Sequence, residues 1–146
     1  MKRTIRERNI LFLCEDNACL SQMAEATAKH LSPPGTKIFS AGVKPSTIPP
    51  QVRKVMEELG ISMSSQAAKG LDSVPLNEID LVVSFGDADK ECEALPPKAR
   101  VERWQVPNPV PAAGALGAML SIFRAGRDEI DKRVFALFLD HWRNVA

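Results

Sequence analysis

Only three cysteines, Cys14, Cys19 and Cys92, occur in the 146 residues. That number is too small and too odd for a disulfide framework, so free thiols are the expectation. A surplus of charge is equally lacking. Nineteen basic against eighteen acidic residues give a formal net charge of +1, which argues against an electrostatic grip on nucleic acid. A long apolar run is missing too. The segment ILFLC at 10–14 follows Lys2, Arg3, Arg6 and Arg8, an order that superficially suggests a secretory signal, but it is too short for a signal core or a membrane span, and Glu15 and Asp16 follow it at once. A soluble, cytoplasmic protein with neither nucleic acid nor membrane as partner is expected. The two histidines, His30 and His141, have no cysteine or carboxylate at ligand spacing, so no metal site is expected and no cofactor is implied. With no repeat or linker, residues 1–146 read as one domain, long enough to bury a core.

What is present is an alternation of apolar runs and helical patterns, which predicts an α/β fold with a parallel sheet. Strands are expected at 9–13, 37–42, 79–85 and 101–104. A helix is expected over 20–32, with Leu20, Met23, Ala24, Ala28 and Leu31 on one stripe. A second is expected over 49–60, with proline in its first turn, Gly60 past its end, and Val52, Val55, Met56 and Leu59 buried. A third, over about 115–144, carries Ile122, Ile130, Val134, Leu137 and Phe138 as its core stripe, after a proline-rich loop at 105–117. Its charge-rich segment 123–133 reads as a solvated face, and Trp104 and Trp142 as packing residues. In parallel sheets ligands bind beyond the carboxyl ends of the strands, so Cys14, Gly42, Gly86 and the 105–109 loop should share one rim.

One stretch stands apart. In ILFLCEDNACLSQMAEATAKHL, residues 10–31, an apolar strand ends at Cys14, a short polar loop follows, and a helix begins near Leu20. Strand, loop and helix N-terminus make an anion-binding architecture, here with a thiol at its mouth. Cys14 reads as a site residue rather than simple packing. Yet Glu15 and Asp16 sit in the loop and Leu20 stands where an anion would want a cation.

This stretch, followed by SAG, PPQVRKVMEELGI, DLVVSF and WQVPNP in that order, resembles the low-molecular-weight protein tyrosine phosphatase family, whose fold the thioredoxin-coupled arsenate reductases share. The resemblance runs from about residue 8 to the C-terminal helix. It implies a three-layer α/β sandwich with a four-stranded parallel sheet, and a loop of pattern C-x-x-x-x-x-R-S that wraps phosphate or arsenate with backbone N–H groups. It further implies that Cys14 attacks as a thiolate, that Ser21 hydrogen-bonds it, that Asn17 braces the loop formed with Ala18 and Cys19, and that Ser40 and Gly42 form the pocket wall. The arginine clamp of the family falls on Leu20, and the acid of its D-P pair on Asn108.

Leucine cannot give the bidentate, charged recognition of arginine, and a carboxamide can orient a leaving group but not protonate it. Asp16 replaces a glycine of the pattern, and with Glu15 it sets two carboxylates beside a dianion site. At ~5 Å and an effective dielectric near 20 each like-charge pair costs on the order of 3 kcal/mol. Those acids raise the Cys14 pKa while loop N–H groups and the helix start lower it, so near-cancellation and a neutral thiol at pH 7 are expected. The reductase relay uses two further cysteines after the third strand, and SFGDADKEC keeps only Cys92. A Cys14–Cys19 disulfide and a redox role for Cys92 remain minority readings.

Two functional expectations follow. In the first, the chain keeps scaffold and thiol loop without efficient phosphoryl or arsenate chemistry, and Cys14 serves a ligand, a partner or redox sensing. In the second, it is an active cysteine-dependent phosphatase or arsenate reductase, with a small oxyanion or phosphoprotein as substrate, a thiol-redox partner, and a substitute cation from Arg53 or Arg103.

Overall fold

The computed structural model describes residues 8–93, 95–107 and 116–145. Four parallel strands, β1 (Asn9–Cys14), β2 (Lys37–Gly42), β3 (Leu81–Phe85) and β4 (Arg100–Trp104), form one sheet in the order β2-β1-β3-β4. β1 and β3 lie in the middle and are apolar on both faces, as strands covered on both sides must be. Alternation along β1 sends Ile10, Phe12 and Cys14 to one face, and Leu11 and Leu13 to the other.

The first face is covered by three helices, α1 (Leu20–Leu31), α2 (Pro50–Glu57) and α3 (Leu116–Val145), with α3 packed on both others. The opposite face is covered by the loops and short 3₁₀ turns at Leu71–Ser73, Leu76–Glu78 and Ala88–Glu91, which close over Leu11, Leu13 and Val82. Glu58, just past α2, accepts Arg124 at 2.7 Å and Arg127 at 2.7 Å, and Arg127 also donates to the Val55 carbonyl. The Arg124 hydrogen bond above all holds the Glu58 carboxyl down at about 2. This clamp joins α2 to α3.

The expected elements are present, with three local corrections. β3 begins at Leu81 rather than 79, because the Ile79 amide closes the preceding turn onto the Leu76 carbonyl. Leu59 is 43% exposed, since α2 ends at Glu57 and Gly60 at φ 75 turns the chain away. In α3 the buried stripe is Phe123, Ile130, Val134 and Phe138; Ile122, one position off it, is 36% exposed. Trp104 is buried core, with Phe12 and Phe85 rings at 6.0 and 5.8 Å and the Arg133 guanidinium over its ring. Among the described residues no three His, Cys, Asp or Glu side chains group so as to hold a metal ion, and no helix is long and apolar enough to cross a membrane. Asn108 and the side chains of His141 and Trp142 lie outside the described residues.

Candidate active site

The loop between β1 and α1 is built by continuing the sheet beyond its last rung. The Val43, Lys44 and Ser46 amides donate to the carbonyls of Cys14, Glu15 and Asp16 at 3.1, 2.6 and 2.9 Å. In trans peptides the N–H points opposite to the preceding carbonyl, so the amides of Glu15, Asp16 and Asn17 face the inside of the turn. The Asn17 amide donates to the Cys14 sulfur at 3.1 Å.

Asn17 makes the bend. Among the described residues it is the non-glycine residue at positive φ, 51°, a conformation that asparagine tolerates. The left-handed residue is thus Asn17 and not Asp16, which explains how a side chain fits where the resemblance implies glycine. Asn17 is fully buried and uses its whole side chain. Its Nδ2 donates to Ser21 at 2.9 Å and to Ser40 at 3.0 Å, while its Oδ1 accepts from Gln22 and from the Lys69 amide, both at 2.8 Å. A fully satisfied buried amide fixes its loop, because moving it would strand several polar groups away from water.

Behind it lies a network that sequence patterns did not reveal. Ser40 donates to the Glu25 carboxylate, and the Lys69 ammonium donates to both Glu25 and Ser40 at 3.0 Å. Lys29 completes the set, 2.7 Å from Glu25. Burial pushes the Glu25 carboxyl up, but the hydrogen bonds from Lys29 and Ser40 and the Lys69 ammonium outweigh it, and the net direction is down. Gln22 and Gln66 pair side by side and tie α1 to the 61–70 loop. The visible signal was composition: every residue from Leu20 to Ala28 is buried, and that run is rich in small side chains that let neighbours close in on all sides.

Ser40 and Gly42 stand behind the loop rather than on its cavity wall. A Cβ on Gly42 would lie 2.6 Å from the Asn17 nitrogen and 2.7 Å from the Asp16 carbonyl carbon. Gly42→Ala must therefore move the loop backbone. It should lower stability by about 1–3 kcal/mol and shift the Asn17 and Ala18 amide resonances, as read by denaturation and NMR.

The cavity above the thiol measures about 250 Å³; Cys14, Glu15, Asp16 and Leu20 line it from the loop, and Phe85, Gly86, Gln105 and Val106 from the ends of β3 and β4. Three of the four segments expected on this rim do meet there. Cys14 lies 2.8 Å from the Ser21 hydroxyl and donates toward Asp16 Oδ1 at 3.6 Å; that same oxygen accepts the Ala18 amide at 3.1 Å. Burial pushes the Cys14 thiol up; Ser21 and the loop amides pull it back, while the Asp16 charge adds to the rise, leaving it raised. Near-cancellation therefore fails on burial, which the sequence pattern did not weigh. Cys19 is fully buried at the N-cap of α1, and burial, Cys14 and Asp16 raise its thiol further.

Both candidate substitute cations are committed elsewhere. Arg53 donates to the carbonyls of Met63 and Gln66, and Arg103 forks onto Asp89 at 3.0 and 2.6 Å. Cys92, buried beside Leu11, Leu13 and Val82, belongs to the core cluster on the sheet face opposite Cys14.

Comparison with known proteins agrees with this geometry. The chain is 40% identical over 126 residues to an arsenate reductase of Bacillus subtilis (strain 168), covering 86% of this chain and 91% of that one. Its fold superposes with a TM-score of 0.74 on an arsenate reductase solved in the phosphate-binding state, at 30% identity, covering 91% and 98% of the two chains. The thioredoxin-dependent arsenate reductase of Corynebacterium glutamicum gives 0.72 at 26% identity, over 93% of this chain and 62% of that one. Residues 9–145 match the profile of the low molecular weight phosphotyrosine protein phosphatases, and the chain belongs to that family.

Proposed function

We propose that this chain keeps the family's thiol loop but is slow in phosphoryl and arsenate chemistry, and that Cys14 serves a ligand, a partner or a redox contact. The observation that carries the reading is the lining of the cavity. Among the described residues no arginine or lysine lines it, while Asp16 and Glu15 do, and Leu20 holds the clamp position. Transition-state charge on a transferring oxyanion is stabilised mainly by fixed donors and cations, so this lining opposes the chemistry. A raised Cys14 thiol points the same way, because the thiolate is the nucleophile.

A second reading, an active arsenate reductase with a thiol-redox partner, is favoured by the 40% identity to a protein of that name. It needs an electron route other than direct transfer between Cys14 and Cys92, which occupy opposite faces of the sheet. The test is aryl-phosphate hydrolysis beside arsenate reduction with a thioredoxin-type donor, against a Cys14→Ser control. The first reading expects rates near the control. Turnover of about 1 per second or faster, within the ordinary enzyme range, would establish the second.

A further inference from the structure

The cavity above the thiol carries a carboxylate of the chain's own, Asp16, beside the sulfur. With the carbonyls of Cys14, Glu15 and Asp16 all turned outward onto 43–46, the following amides face inward. Asp16 lines the cavity beside the thiol, and its Oδ1 takes the Ala18 amide at 3.1 Å and sits 3.6 Å from the Cys14 sulfur. Glu15 is different. Its residue is exposed, and its side chain lines the cavity rim and an adjoining cavity shared with Lys90 and Glu91.

We propose that Asp16 is the specificity-determining residue of this loop, an internal carboxylate that holds the place of an external oxyanion and excludes dianions from the thiol. The inference rests on the reading that oxyanion chemistry is slow here, and supplies a cause for it beyond Leu20. A dianion at the thiol would have to take the Ala18 amide from Asp16 and then lie beside the displaced carboxylate. Like charges a few ångströms apart in a partly buried site are screened little by salt. Glu15, in solvent, is screened far more.

Calorimetric titration with inorganic phosphate tests this on the full chain, comparing wild type with Asp16→Asn, Asp16→Gly and Glu15→Gln. Asp16→Asn keeps an acceptor for the Ala18 amide and so preserves the turn should Asp16→Gly fail to fold. Both Asp16 variants should bind phosphate at least about tenfold more tightly than wild type, and Glu15→Gln within about twofold of it. Equal binding by wild type and Asp16→Asn overturns the proposal, and so does an equal gain from Glu15→Gln, since the effect is then one of general charge. Iodoacetamide labelling of Cys14 supplies an independent arm. Faster labelling at pH 7 in Asp16→Asn supports an obstructing charge, whereas slower labelling would make Asp16 a base toward the thiol and overturn the proposal. Fast wild-type turnover would remove the slow-chemistry reading on its own, whereas equal phosphate binding removes only this inference.

Discussion

Leu20→Arg alone should leave aryl-phosphate hydrolysis within about tenfold of the wild-type rate, whereas Leu20→Arg with Asp16→Gly should raise it by about 100-fold or more. Leu20 is the first residue of α1 and lines the cavity, 5% exposed, so an arginine there can lay its stem on the apolar wall and bring its head to the thiol. In the single variant that head meets the Asp16 carboxylate, which lies 3.6 Å from the sulfur, and the two charges pair with each other. The clamp is then spent on the chain's own anion. Removing Asp16 frees the fork for two oxygens of a substrate, so the two changes are coupled and their effects exceed the sum of the singles. If Asn108 holds the acid position that the family pattern assigns to it, adding Asn108→Asp should raise the rate again. Steady-state hydrolysis across the set is the measurement. A single Leu20→Arg variant as active as the double would show that Asp16 does not obstruct the site.

The largest expected effect on stability comes from Lys69→Met. Glu25 is 3% exposed, and its charge is held by Lys69, Lys29 and Ser40. Breaking a buried pair from one side leaves a charge without its partner, a loss of 3–5 kcal/mol in fully buried cases. With Lys29 still present and Lys69 itself partly solvated, roughly 2–3 kcal/mol is expected here. The pH dependence follows from the direction of the Glu25 shift. Its folded pKa is lowered, so its contribution is present above the unfolded carboxyl value of about 4.3 and is lost as pH falls through the folded value. Lys69→Met should flatten the acid limb of the stability curve as well as lower the plateau, while Lys69→Arg should retain most of both. Urea denaturation from pH 3 to 8 reads both effects. An unchanged midpoint in Lys69→Met would mean that the network contributes nothing to stability.

The sheet was legible because its central strands are short apolar runs with a polar break at each end, and burial on both faces permits little else. The loop was legible as a pattern, since a strand ending on Cys14 and a helix opening near Leu20 leave few ways to turn. What stayed hidden depends on partners far apart in sequence. Lys69 is 44 residues from Glu25, and nothing near QAAKG marks an ammonium that will lie against Ser40. The 61–70 segment has no periodicity, and its path is set by Arg53 donating to two of its carbonyls. That same commitment is why Arg53 is no substitute clamp: a sequence shows a cation but not what has already claimed it. Ile122 and Leu59 fail for a simpler reason. One position on a helix, or two residues past its end, moves a side chain from core to solvent, and hydrophobicity alone does not record this.

Whether Cys14 is a neutral, obstructed thiol or a ready thiolate decides between slow and active oxyanion chemistry. The pH profile of iodoacetamide labelling at Cys14, with Cys19 and Cys92 replaced by serine, measures this directly. Burial and Asp16 against Ser21 and the loop amides predict a midpoint at or above the free-thiol value of about 8.5, with slow labelling at pH 7. A midpoint below about pH 6 would contradict the account, because the loop would then ionise its cysteine without an arginine and stand ready for nucleophilic chemistry.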